Sequence, residues 1–516
     1  MKKTTIYLFS FLLILAAGCT KDFEKMNTDP NAVTKVEPAY FFSGMVQQVF
    51  ANYQRNVNLY PDFYSQYFAN TVQSFGSPRY EYVDGWIGNQ WKEHYTEFLR
   101  KSNAIQDQYK DDPSFQEQLA IAEIFTCYWW SRMTDTYGDM PYFNAGEGET
   151  VPYNSQEEIY KDLFVRLENA VNKLPMGDNQ VKYGQYDRIF NGDAAKWKRF
   201  GNSLRLRLAM RISNIDPATA ASVAQSAISS GVMTSNADVA KVPMWASGWF
   251  DYLHQMLWNW DNARVSKTFT NYLYSESSVG EDPRTPYWLT YKRDGEAVTK
   301  ESLGLPSYVG LENGYSNNMP SDANDKATIN LYGTYVDFSG NGADAMYCPV
   351  MFYSEVLFLQ SESALRGWVA GDANALYKAG IQASMDYVGV DASAAQQYID
   401  GVANLNGPDE ARLKKIITQK WISNFPNGVE AWADFRRTDY PDLTLPVDGV
   451  SGNASVAQGT YVKRIRYPNN QHELNNRSMP ANLNSLDKDR MDTRLWWDVE
   501  GTEQKGANGL MNSNFR

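Results

Sequence analysis

The sequence predicts a mainly α protein made of antiparallel helix pairs, interrupted by one long irregular insertion. Three observations predict it. Apolar residues recur every three to four positions across residues 38–231 and again across 349–438, the period of a helix with one buried face. Turn and cap residues cut those stretches into pairs of about 35–45 residues, the size of one unit in a stacked helical repeat. Between residues 232 and 348 the helical period disappears, and Gly, Asn, Pro, Asp and Ser become frequent.

Taken in order, the chain opens with Lys2 and Lys3, an apolar run over residues 6–17, and Gly18-Cys19. That is a secretory leader, too short to span a bilayer. A cysteine directly after Ala16-Ala17-Gly18 reads as a bacterial lipoprotein site, cut before Cys19 and acylated there. Residues 1–18 are then signal peptide, 19–37 a polar, lipidated tether, and 38–516 a single body with no Pro- or Ser/Gly-rich linker to divide it. Multiple acyl chains hold firmly where one holds only reversibly.

The body starts with a helix over 38–55, with Pro38 at an early position. A second helix, over 60–71, is dense in aromatics: Phe63, Tyr64, Tyr67 and Phe68. A polar loop over 73–84 leads to Trp86. The next helix carries Trp91, Tyr95, Leu99 and Ile105 on one side. Its partner starts at Asp112-Pro113, is apolar nearly all round from 119 to 133, and stops at Tyr137-Gly138. Ser155 caps a helix with Glu157 and Glu158 in its first turn. Asp193 caps another, with Trp197, Leu204, Leu208 and Ile212 as its stripe; Arg199, Arg205, Arg207 and Arg211 read as a solvated face. Asp216-Pro217 starts a shorter helix that ends at Gly231. Helices resume over 350–368, after Asp372, over 410–425 and over 429–437; the chain from 439 to 516 is turn-rich. Stacking such pairs is the logic of tetratricopeptide-type solenoids.

Composition excludes several classes. The net charge is −12, with cations scattered, so no nucleic-acid partner is expected. HExxH, GxSxG, GxGxxG and phosphate-loop motifs are absent from the sequence, and His94, His254 and His472 lie far apart. No catalytic residue, metal site or cofactor is therefore expected. Ser321, Asp322, Asn324 and Asp325 are rich in oxygen ligands but lack calcium-loop spacing. Cys127, in an apolar helix, reads as a buried free thiol, with a bridge to Cys348 left open.

The order and spacing of short motifs resemble the SusD/RagB family of Bacteroidetes surface lipoproteins. Lys21-Asp22 and Glu24 resemble its export signal, and Asn27-Thr28-Asp29-Pro30-Asn31 its early segment. Trp91, Tyr95 and Asn103 resemble the first repeat helix, and Tyr137-Gly138-Asp139-Met140-Pro141-Tyr142 the turn after the second. Tyr353-Ser354-Glu355 with Glu362-Ser363-Ala364, and Ala375-Leu376-Tyr377 with Gly380-Ile381, resemble the late pair. Gln419-Lys420-Trp421, then Trp432, Asp434 and Arg436-Arg437-Thr438, then Arg466-Tyr467-Pro468, resemble the C-terminal segments. The resemblance implies a superhelix of tetratricopeptide-like pairs packed against an irregular, loop-rich half. It also implies a non-enzymatic role: capture of oligosaccharides, or alternatively oligopeptides, for a SusC-like TonB-dependent transporter in the outer membrane, with this protein as its lid. A surface glycoside hydrolase is the reading from another class.

A sugar ring offers an apolar face to aromatic rings and a rim of hydroxyls to amides and charges. Loops on a rigid scaffold are the place for such groups. The candidate ligand residues are Trp86 and Asn89 at the first-pair entrance, and Trp245, Trp249, Trp258, Trp260, Trp288 and Tyr308 in the insertion. Asn259 and Asp261 are candidate polar partners. Trp91, Trp197 and Trp421 sit on helical stripes and are assigned to the core. Arg436 and Arg437 read as a structural pair for the C-terminal loops.

Overall fold

The computed structural model describes residues 36–51, 54–72, 74–148, 150–177, 179–243, 256–257, 260, 262–293, 296–315, 329–331, 347–449, 456–501 and 515. The leader, Cys19, Trp245, Trp249, His254, Trp258, Asn259, Asp261 and the oxygen-rich turn at Ser321 to Asp325 lie outside these residues.

The helices form where one face is apolar and the ends are capped. They run as α1 (Pro38–Phe50), α2 (Asp84–Glu93), α3 (Leu99–Tyr109), α4 (Gln116–Tyr137), α5 (Gln156–Asn172), α6 (Ala194–Arg211) and α7 (Pro217–Ser229). After the insertion come α10 (Tyr353–Leu365), α11 (Ala373–Val388), α12 (Ala392–Gly401), α13 (Asp409–Ser423) and α14 (Gly428–Thr438). Neighbours pack in sequence: α4 on α5, α5 on α6, α6 on α7 and α10 on α11, with α13 laid against α10. The mainly helical, paired architecture is as the sequence predicts. Burial of α4 on nearly all sides follows its all-round apolar surface.

The caps behave as read. Asp193 accepts from the Lys196 N–H, and Ser155 forms a full capping box with Glu158. Ser155→Ala is expected to cost about 1 kcal/mol, read as a lower urea midpoint with an unchanged slope.

The insertion contributes short pieces: β2 (Ala240–Pro243), β3 (Ala263–Val265), α8 (Lys267–Ser275), α9 (Thr285–Trp288), β4 (Leu289–Arg293), β5 (Glu296–Val298), β6 (Ile329–Leu331) and β7 (Tyr347–Met351). β4 lies between β5 and β6, and β2 pairs antiparallel with β7. Arg284 bolts this half to the helices. It pairs with Asp282, fully buried, and donates to the hydroxyls of Ser384 on α11 and Ser423 on α13 at 2.8 and 2.9 Å.

Three sequence readings need correction. Residues 60–71 are not one helix: a π-helical segment (Gln54–Asp62) gives way to β1 (Phe68–Asn70), paired antiparallel with β3. The aromatics there serve both structures, so their spacing did not discriminate. The 350–368 stretch starts as strand β7 and becomes helical only at Tyr353.

The arginine row of α6 is not solvated. Arg205, Arg207 and Arg211 are buried. Arg207 grips Glu355 at 2.6 and 2.8 Å, and Arg211 reaches Glu430 at 2.7 Å. Lys420 closes the group on Asp434 at 2.8 Å. Arg199 stays part-exposed on Asp238 at 2.7 Å. Beside this group, Arg437 grips Glu362 through both nitrogens at 2.7 and 2.8 Å, with Arg366 on the same carboxylate at 2.9 Å. Early and late helix pairs are thus joined by an ionic core. Burying these charges costs several kcal/mol each, and the site survives because every one is paired.

Arg436 has the structural role read for it, holding the Lys463 carbonyl at 3.1 Å. Cys127 and Cys348 are both buried, and no disulfide joins them.

Candidate functional site

Three segments converge beside α2. The first is α2 itself, which continues through a π-helical turn (His94–Phe98) into α3. The second is the chain after α4, where Gly138 adopts a φ of 87°, a left-handed value that favours glycine. The third is α15 (Asn469–Leu474) with its flanks.

Asp84 opens α2, where the helix dipole favours an acid. Its carboxylate accepts the Tyr82 hydroxyl at 2.7 Å and the Asn469 N–H at 2.8 Å, which latches the third segment to the first. Tyr95 donates to the Pro141 carbonyl at 2.8 Å and fixes the second. Asn154 steadies that loop by accepting the N–H groups of Tyr142 and Phe143, both at 3.1 Å.

Between the three lies a cavity of about 590 Å³. That is the size of a small-ligand site. Gly85, Gly88, Asn89, Lys92 and Thr96 line one wall, at spacings that share one helix face. Asn470, Gln471 and Asn475 supply amides opposite, and Pro141 with Ala145 closes the side. Trp91, 4% exposed, forms the floor, its ring 5.1 Å from Tyr137 and 5.5 Å from Tyr467. Gln471 is held by the Tyr153 hydroxyl at 3.1 Å and the Asn475 amide at 2.9 Å.

The Lys92 ammonium makes no ion pair among the described residues, and the Asn89 amide makes no hydrogen bond among them. Burial pushes the Tyr95 hydroxyl well above its usual range, so it stays a neutral donor. The arrangement offers an aromatic floor, a rim of amides and, among the described residues, one cation without an ion pair. That suits a polyhydroxylated ligand.

The sequence-predicted residues divide. Asn89 lines the cavity. Trp86 stands on the same helix, half-buried, its ring edge-on to Phe75 at 5.1 Å. Trp260 is 47% exposed, as a surface platform requires. Trp288 and Tyr308 are corrections. Trp288 is 1% exposed, packed on Phe269 and Phe425 at 6.1 and 5.5 Å. Tyr308 is 3% exposed and stacked on Tyr291 at 5.2 Å. Both are core, because the insertion needs its own aromatic filling. Trp91, Trp197 and Trp421 are core as assigned.

His94 is buried against Trp130 at 4.2 Å, and burial lowers its pKa to about 3. His472 is tied to Asp489 at 2.8 Å. Both histidines are structural. Among the described residues no group of His, Cys, Asp and Glu is placed to hold a metal, and no helix is long and apolar enough to cross a membrane.

Sequence reasoning missed Lys92, Thr96 and the amides of α15. The first two were legible as a face with Gly85, Gly88 and Asn89. The amides carried no such signal, since their distance from α2 in sequence gives no hint of contact.

Residues 30–468 match a SusD-like family model described as starch-binding and associating with the outer membrane. No curated protein matches the chain. Among solved structures, a chitin-binding SusD homolog from Flavobacterium johnsoniae is similar at 27% identity and TM-score 0.74, covering 90% of this chain and 99% of its own. A SusD homolog from Bacteroides ovatus is similar at 26% identity and TM-score 0.74, with the same coverage of 90% and 99%. A structure titled as a chitin-binding protein is similar at 25% identity and TM-score 0.75, covering 90% of this chain and 100% of its own.

Proposed function

Since the chain belongs to the SusD-like family, we propose that it is a carbohydrate-capture protein of the outer membrane. It is anchored by lipid on Cys19 and faces outward. It binds oligosaccharides and passes them to a SusC-like TonB-dependent transporter, over which it acts as a lid. It holds its ligand and performs no chemistry on it.

One observation carries the reading: Asn89, whose amide makes no hydrogen bond among the described residues, stands on the wall of a sugar-sized cavity, three residues from Trp86 on the same helix. Asn89 faces hydroxyls, Gln471 and Asn475 face them from the opposite wall, and Trp91 closes the floor. The chitin-binding relatives support a glycan as ligand.

The test is calorimetry of the full chain against chitin- and starch-derived oligosaccharides, with oligopeptides as a second panel. A glycan is expected to bind, and Asn89→Ala to weaken it about tenfold through loss of a hydrogen bond. Binding of peptides alone would keep the family and overturn the ligand class.

A further inference from the structure

The cavity beside α2 carries a positive charge that its own walls do not answer. The charged side chains in its lining are Asp84 and Lys92. Asp84 is engaged. Its carboxylate takes the Tyr82 hydroxyl at 2.7 Å and the Asn469 N–H at 2.8 Å, at the helix end where the dipole favours an acid. Lys92 stands about 12 Å further along the helix axis, at ~1.5 Å per residue.

Lys92 is exposed and makes no ion pair among the described residues. The positions three and four away on either side of it are Gly88, Asn89, Tyr95 and Thr96, which are its neighbours on a helix surface. All four are neutral, and all four line the same cavity. Glu93 follows directly in sequence, where helical side chains diverge. The ammonium therefore has no acid on its own face of the helix.

The opposite wall is richer in donors than in acceptors. The Gln471 carbonyl oxygen receives the Tyr153 hydroxyl at 3.1 Å and the Asn475 amide at 2.9 Å, which fills both lone pairs. The two donors fix the orientation of this amide and leave its NH2 group for a ligand. That NH2 reaches the Asn470 oxygen only at 3.4 Å, and the Asn470 NH2 makes no hydrogen bond among the described residues. On the α2 side, the Thr96 hydroxyl donates to the Lys92 carbonyl at 3.0 Å and keeps its lone pairs. Thr96 and Asn89 can thus accept from sugar hydroxyls, while the ammonium and the two NH2 groups call for an acceptor-rich group.

We propose that the preferred ligand is an acidic oligosaccharide, with a carboxylate or sulfate group seated on Lys92. This rests on the reading of the cavity as the glycan site. A lysine ammonium is a point charge, so the chemistry it selects is a sugar anion of either kind. The net charge of −12 disfavours anions at long range. A preference for one has to arise locally, and Lys92 is the cation in the lining. Lys92 then sets specificity within a site whose other contacts serve any sugar.

The test is calorimetry of the full chain with two matched pairs: an oligogalacturonate and its methyl ester, and a sulfated galactan oligosaccharide and its desulfated form. Each pair keeps the skeleton and removes the charge. At least one acid is expected to bind about fivefold more tightly than its neutral partner, the effect of one exposed charge-assisted hydrogen bond. Which pair shows the gain tells carboxylate from sulfate. The ratio should fall to about one in Lys92→Gln and persist in Lys92→Arg. Equal binding within both pairs, a preference that survives Lys92→Gln, or binding of neutral oligosaccharides alone overturns the inference and leaves glycan capture standing. If none of these sugars and no chitin- or starch-derived oligosaccharide binds, the capture reading falls, and the inference with it.

Discussion

Glu362→Gln is expected to lower the unfolding free energy by about 3–5 kcal/mol, because it strands two buried guanidiniums that share one carboxylate. Arg437 and Arg366 both lean on Glu362, all three about 1% exposed at the side chain. Burial alone would raise this carboxyl; the two guanidiniums outweigh burial and hold it at about 2, against an ordinary 4.5. The same residue therefore sets an acid limit. A carboxyl with a lowered native pKa contributes stability that is complete above its unfolded value and lost as pH falls toward the native one. Stability should decline between about pH 4.5 and 2, and Glu362→Gln should flatten that decline. Urea titrations at pH 7, 4 and 3 check both statements. An unchanged midpoint at pH 7 would mean that this ionic joint does not hold α10 and α14 together.

Trp288→Ala is expected to cost about 3–5 kcal/mol in stability while leaving oligosaccharide affinity of the folded protein unchanged. The ring fills the seam between the insertion and α13, against Phe269 and Phe425, with the Arg284 guanidinium 5.1 Å above it. Its role is opposite to that of Asn89, whose loss should weaken binding at little cost in stability. Thermal unfolding and calorimetry on both variants separate the two roles. Loss of affinity in Trp288→Ala without loss of stability would return this residue to a ligand surface.

The contrast shows what a single sequence carries. Helices with one apolar face and a capping residue, such as the one after Ser155, were legible because every signal lies within a few residues. One wall of the candidate cavity was legible in part: of Trp86 and Asn89, three apart at the entrance to the first pair, Asn89 lines it. Partners were not legible. Trp288 and Trp260 look alike in sequence, and only packing separates a buried ring from an exposed one. Arg207 and Arg211 read as solvated because Glu355 and Glu430 lie far along the chain. β1 resembled a helix because its partner β3 comes nearly two hundred residues later. The cavity wall from α15 was hidden for the same reason.

The most direct test of the capture account is a crystal structure of the protein soaked with the oligosaccharide that binds most tightly in calorimetry. The account predicts sugar in the cavity beside α2, with hydroxyls on Asn89 and on the amides of Gln471 or Asn475. Sugar bound at another surface, with this cavity empty, would contradict it.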